Sequence, residues 1–219
     1  MPLARKLLAE ALGTAFLLMT IVGSGVMGDN LANGQPGDTL LPHAIVIGAM
    51  LFVLITLFGP VSGAHFNPAV TLIIALRRDL TRAEAVPYIA VQIAAGTLGV
   101  LAVHLMFDVD VLQHSVKART GAPQWFSEVI ATAGLIMVIL GGLRVNAALV
   151  PALVGLYIMA ALWFTASTSF ANPAVTIARM FTDTFSGISP AHAPAFIAAQ
   201  IVGALGGWGL ARLVWPDDG

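Results

Sequence analysis

Six long apolar runs separated by short polar connections organise the chain, at about residues 7–27, 43–59, 85–107, 126–143, 149–166 and 193–214. Each has the roughly 17 or more apolar residues that an α-helix needs to cross about 30 Å of hydrocarbon. Two shorter apolar stretches break this rhythm. NPAVTLIIAL, residues 67–76, stops before Arg77, Arg78 and Asp79, and NPAVTIARMF, residues 172–181, stops before Thr182 and Asp183. Ten residues make about 15 Å of helix, half of the hydrocarbon thickness, so neither crosses alone. Asn is a preferred N-cap, and Pro is tolerated at the first helical position because its missing N–H would bond nothing there. Helices are therefore expected to start at Asn67 and Asn172. The pattern predicts an all-α membrane protein of six transmembrane helices plus two re-entrant half-helices.

The two short stretches share the pentapeptide Asn-Pro-Ala-Val-Thr, 105 positions apart, and the correspondence extends beyond it. Glu10 and Thr14 in the first run answer Glu128 and Thr132 in the fourth, and Gln92 in the third answers Gln200 in the sixth. These matches divide one integral unit, 1–219, into internal repeats of about 1–108 and 119–219. Each half holds three spans and one half-helix. Three is odd, so the second half inserts upside down, the inverted-topology arrangement of many transport folds. The half-helices then enter from opposite faces and meet cap to cap at the midplane, presenting positive dipole ends and Asn side chains to a path between them. Glu and Asn are 57 residues apart in the first half and 44 in the second; the extra 13 are expected in a loop made by GDNLANGQPGDTLLP, residues 28–42.

Composition sharpens the class. Only 10% of residues are charged and the mean hydropathy is +0.90, against about 25% charged in soluble domains. A formal net charge of −1 gives no basis for a nucleic-acid partner; the partners implied are membrane lipid and whatever crosses. With no cysteine there is no disulfide, thiolate metal site or Cys nucleophile. No Ser-His-Asp set, phosphate loop or metal-ligand spacing is present, so neither an enzyme, a metal site nor a cofactor is expected. Glu10 within the first apolar run, and the lack of a small-residue cleavage site, read as an uncleaved first span. Placing both termini in the cytoplasm puts Arg5, Lys6, Arg77, Arg78, Arg82, Arg144 and Arg212 inside and Lys117, Arg119 and Arg179 outside, the bias that a multi-pass inner-membrane protein should have. The charges of the 107–124 connection are expected to be solvated.

Ser62-Gly63-Ala64-His65-Phe66-Asn67-Pro68-Ala69-Val70-Thr71 and the opening Ala9-Glu10-Ala11-Leu12-Gly13-Thr14 resemble signature segments of the aquaporin and glycerol-facilitator (major intrinsic protein) family, and the resemblance covers essentially the whole chain. It implies a homotetramer whose protomers each carry a pore for water or small neutral solutes, lined by Asn67, Pro68, Ala69, Asn172, Pro173 and Ala174. The second motif of that family normally continues with Arg; here Val175 stands in its place. By register from the two asparagines, the remaining filter positions are Ile47, Ala160 and Ser169. Such a filter is wider and more apolar than that of water-selective members and has no fixed cation. In this respect the chain resembles bacterial aquaporin-like channels that lack the filter Arg and conduct neutral metalloid acids such as arsenite.

Other readings attach to particular residues. Asn67 and Asn172 combine capping with an amide NH₂ left to donate to a passing oxygen. Glu10 and Glu128 are either coupling sites or acceptors for the unpaired N–H groups before each half-helix; the second use is the one that the family makes of these positions. His65 is a gate, a pH sensor or a loop brace, with bracing preferred. Arg179, four residues beyond Val175, is a vestibule charge or, preferably, a snorkelling helix-end cation. As a whole, the chain is read as a passive channel. The alternatives are a secondary active transporter built from inverted repeats and a water-selective aquaporin.

Overall fold

The computed structural model describes residues 1–32 and 36–216. Six long helices and two short ones follow in the order α1 (Leu3–Leu31), α2 (Pro36–Ser62), α3 (Pro68–Leu76), α4 (Arg82–Met106), α5 (Ala122–Asn146), α6 (Val150–Phe164), α7 (Pro173–Ala178) and α8 (Ala193–Val214). One turn of 3₁₀ helix, Ala147–Leu149, joins α5 to α6, and another, Arg179–Phe181, extends α7. The helical run Ala122–Phe164 is 43 residues long. At 1.5 Å per residue that is about 64 Å, twice the hydrocarbon thickness, so it must fold back. It does so at Asn146, whose side chain accepts from Ala148 N at 3.0 Å and opens the 3₁₀ turn.

The first connection differs from the loop expected at 28–42. α1 continues to Leu31 and α2 begins at Pro36, so most of the Gly/Asn/Asp/Pro stretch is helical; residues 33–35 lie outside the described residues. Pro is admissible at such a helix start.

α1 packs on α4 and α2, α5 packs on α8 and α6, and α2 packs on α6. Backbones approach closely where glycines allow it. A Cβ on Gly99 would lie 2.5 Å from Ala15 O, one on Gly203 2.4 Å from Val129 O, and one on Gly207 2.3 Å from Ala133 O. Gly48 and Gly155 meet the same way between α2 and α6. In lipid, where apolar burial does not drive association, such approach replaces it. Gly206 and Gly209, on the same helix as Gly203 and Gly207, face outward with nothing within 4 Å. α3 and α7 fill the middle of this frame, with N-termini facing each other.

Candidate functional site: a polar shaft between two helix caps

Each half-helix starts as its sequence dictates. Asn67 Oδ1 accepts from Ala69 N at 2.9 Å; Asn172 Oδ1 accepts from Ala174 N at 2.9 Å and Val175 N at 3.3 Å. Pro68 and Pro173 occupy the first helical turn and, with Ala69 and Ala174, are buried behind the caps. The amide NH₂ groups do more than wait for a passing oxygen. Asn67 Nδ2 donates to Ala171 O and Asn172 Nδ2 donates to Phe66 O, both at 2.8 Å, so each half's cap is bonded to the other half's loop. One N–H of each amide remains for the shaft, which both asparagines line.

The loops leading into the caps are bent by unusual backbone. Ala64 and Phe66 have φ of 50° and 49°, and Ser169 and Ala171, the matching positions, have 46° and 48°. With Thr168 at 59°, five non-glycine residues of these loops are in the left-handed region, at roughly 1 kcal/mol or more each, and need compensation. The two buried glutamates provide it. Glu10 accepts from Ser62 Oγ (2.7 Å), His65 N (3.0 Å), Phe66 N (2.7 Å) and Gln92 Nε2 (2.8 Å). Glu128 accepts from Phe170 N and Ala171 N at 2.9 Å and from Gln200 Nε2 at 2.7 Å. Gln92 also donates to Thr71 Oγ1 and Gln200 to Thr176 Oγ1, and these hydroxyls donate to Asn67 O and Asn172 O. Every carboxylate oxygen is thus engaged by a loop or a neighbouring helix, the arrangement that bracing requires. His65 has a share in this: its Nδ1 lies 3.1 Å from Thr71 Oγ1 and its ring tilts against Tyr88, while one face borders the shaft.

A cavity of about 460 Å³ runs past both caps, from Lys6 and Asp79 at one end to Arg179 at the other. Ile47, Ser169 and Val175 line it. Ala160 does not. It sits on the exposed face of α6, whose cavity face is Val154, Ile158 and Leu162 at four-residue spacing. Counting back from Asn172 assumed a loop length that the bend at Thr165–Ala171 does not keep, and two residues turn a helical position about 200° away. The expectation of no fixed cation also changes, because Arg179 lies against the shaft one turn beyond Val175. It does not snorkel: only 3% of it is exposed, its Nε donates to Ser186 O and its guanidinium stacks on Phe170 with Cζ 3.5 Å from the ring centroid.

The 107–124 connection is likewise not simply solvated. It folds over the end of α7, with Ser115 N donating to Met180 O and Ser189 N to Lys117 O. Arg119 is buried there and donates to Gly187 O (2.8 Å), Ser167 O, Thr168 Oγ1 and Phe185 O (each 3.4 Å), with Cζ 5.1 Å from the Phe170 centroid. Burial holds its guanidinium down at about 10. Half-buried Lys117 donates to Phe185 O at 2.7 Å, and burial first, then the Arg119 and Arg179 charges, lower its pKa to about 8. No sequence signal marks Arg119; Arg179 at least shares a helical face with Val175.

The sequence matches the family model described as Major intrinsic protein across residues 1–166. It is 52% identical over 203 residues to Aquaglyceroporin AqpS of Rhizobium meliloti (strain 1021), covering 93% of this chain and 87% of that protein. It is 35% identical over 142 residues to Nodulin-26 of Glycine max, covering 64% of this chain and 51% of the plant protein. The fold superposes on the X-ray structure of the aquaglyceroporin from Plasmodium falciparum with a TM-score of 0.76 at 21% identity, covering 98% of both chains.

Proposed function

Because the chain belongs to the major intrinsic protein family, a family of membrane channels rather than enzymes, we propose that the shaft passes small uncharged solutes passively through a wide filter that lacks the family's Arg. The observation that carries the reading is the shaft itself, which passes two facing cap asparagines and is bordered by Val175, Ile47 and Ser169. The α6 wall of the filter is Ile158, in place of Ala160. Water, glycerol-like polyols and neutral trihydroxides such as arsenous acid are the substrate class. Selection is mostly by size, with Ser169 Oγ, a buried hydroxyl without a hydrogen-bond partner among the described residues, as a contact for solute oxygens. Likeness to a relative called an aquaglyceroporin supports the polyol part.

The unit is one domain of two inverted halves, about 1–108 and 119–219, with both termini cytoplasmic in a cell membrane and four copies assembled. The paired Glu-Gln-Thr networks support the repeat; the Lys/Arg bias supports the orientation. Secondary active transport has less support, because both deep carboxylates are occupied as braces. The test is stopped-flow light scattering of proteoliposomes under water, glycerol and arsenite gradients, with and without imposed pH or sodium gradients. Flux is expected to be downhill and indifferent to either gradient; accumulation above equilibrium would reverse the conclusion.

A further inference from the structure

Val175 removes the cation that the family keeps beside its narrowest point, yet a channel in an energised membrane must still reject sodium and protons. We propose that Arg179, steadied by Arg119 through the shared Phe170 ring, supplies the cation barrier of this pore from one helical turn farther out. The inference rests on the channel reading above.

Three observations carry it. Arg179 lines the shaft while almost wholly buried, and only its Nε has a protein partner: its two terminal nitrogens make no hydrogen bond to any described residue. Those donors are therefore turned to the shaft. Next, none of Lys117, Arg119 and Arg179 makes an ion pair with a carboxylate among the described residues; Glu128, whose oxygens are taken up by Phe170 N, Ala171 N and Gln200 Nε2, is the one carboxylate that acts on both arginines, which leaves net positive charge on the Arg119–Arg179 pair. In a low-dielectric wall such charge acts at longer range than in water. Finally, the clamp is rigid. Arg119 and Arg179 both lie against Phe170, whose N–H is held by Glu128, and four acceptors fix the Arg119 fork. Neutral solutes meet hydrogen-bond donors at this point, whereas cations meet repulsion.

The experiment records sodium and proton currents from the purified full chain in voltage-clamped bilayers, with glycerol flux in vesicles of the same lipid as the control for a conducting pore. Arg179→Gln is expected to raise sodium current at least tenfold above a wild type that carries almost none. Arg179→Lys, which keeps the charge but not the fork, restores exclusion; a purely structural role would leave Lys as leaky as Gln. Should Arg179→Gln fail to fold, Ser169→Asp decides. It places a carboxylate between Thr168 and Phe170, the residues that touch the arginines, at a site where φ of 46° suits Asp and no hydroxyl bond is lost. It too should leak sodium. Variants that fold and pass glycerol yet carry no more sodium than wild type overturn the proposal, as does a leaky wild type. A wild type that passes no neutral solute in the vesicle assay instead removes the channel reading beneath it.

Discussion

Glu128→Gln tests whether the deep carboxylates are braces. The wild-type side chain accepts three hydrogen bonds, two from consecutive loop N–H groups and one from Gln200. Bonds to a charged acceptor contribute about 1.5–3 kcal/mol each, and neutral ones about 1 kcal/mol. An amide of the same shape has a single oxygen and must turn its NH₂ toward one of the three donors. One buried N–H is then unsatisfied, at about 1–3 kcal/mol, and the other two bonds lose their charge assistance. The loss is about 3–5 kcal/mol. At about 2–4 °C per kcal/mol for a chain of this size, melting in detergent should fall by about 10 °C. Ser169 and Asn172 follow the slackened loop, so glycerol flux should drop several-fold as well. A coupling carboxylate behaves differently: its neutral isostere would leave melting nearly unchanged while abolishing dependence on a proton gradient. A melting shift below about 2 °C refutes the brace.

Val175→Arg should cut glycerol or arsenite flux several-fold in stopped-flow assays while sparing water more, and Ile158→His should act in the same direction; unchanged flux in folded Val175→Arg protein removes residue 175 from the constriction. Asn67→Asp combined with Asn172→Asp puts negative charge at the midplane and replaces both cross-half donors by oxygens that face carbonyls, so cation leak should rise and melting fall together. Lys117, at about 8 when folded, should lose its charge between pH 7 and 9, with an acylation midpoint near 8. Because unfolded lysine keeps its proton to about 10.5, this group's contribution to stability increases as pH rises from about 8 to 10.5; a midpoint near 10.5 in folded protein contradicts the burial argument.

Helices and caps were legible because periodicity, length and Asn-Pro chemistry act locally. The six spans agree with α1, α2, α4, α5, α6 and α8, and the half-helices start where Asn-Pro places them. Repetition made Glu10, Glu128, Gln92 and Gln200 visible as a set and the pentapeptide carried Thr71 and Thr176, but only the fold joins those two threonines to the glutamines. The register at α6 was not legible, since it depends on how a bent loop consumes residues; Ala160 was lost for that reason. Arg119 was invisible for another. A lone Arg in a polar connection looks solvated, and only folding brings it against Phe170 and the carbonyls of Phe185 and Gly187.

The crossed amides have a consequence for ancestry and assembly. A half-length chain ending before α5 would contain Asn67 Nδ2 and Phe66 O but neither of their partners, Ala171 O and Asn172 Nδ2. Left buried, each orphan costs about 1–3 kcal/mol. The nearest substitute is a second copy of the same half inserted the other way up, whose own Asn67 and Phe66 would close both bonds symmetrically. A chain of half this length would therefore need a membrane insertion signal balanced enough to enter in both orientations. Fusion of two such copies would remove that requirement, since each half then has to insert in one orientation only.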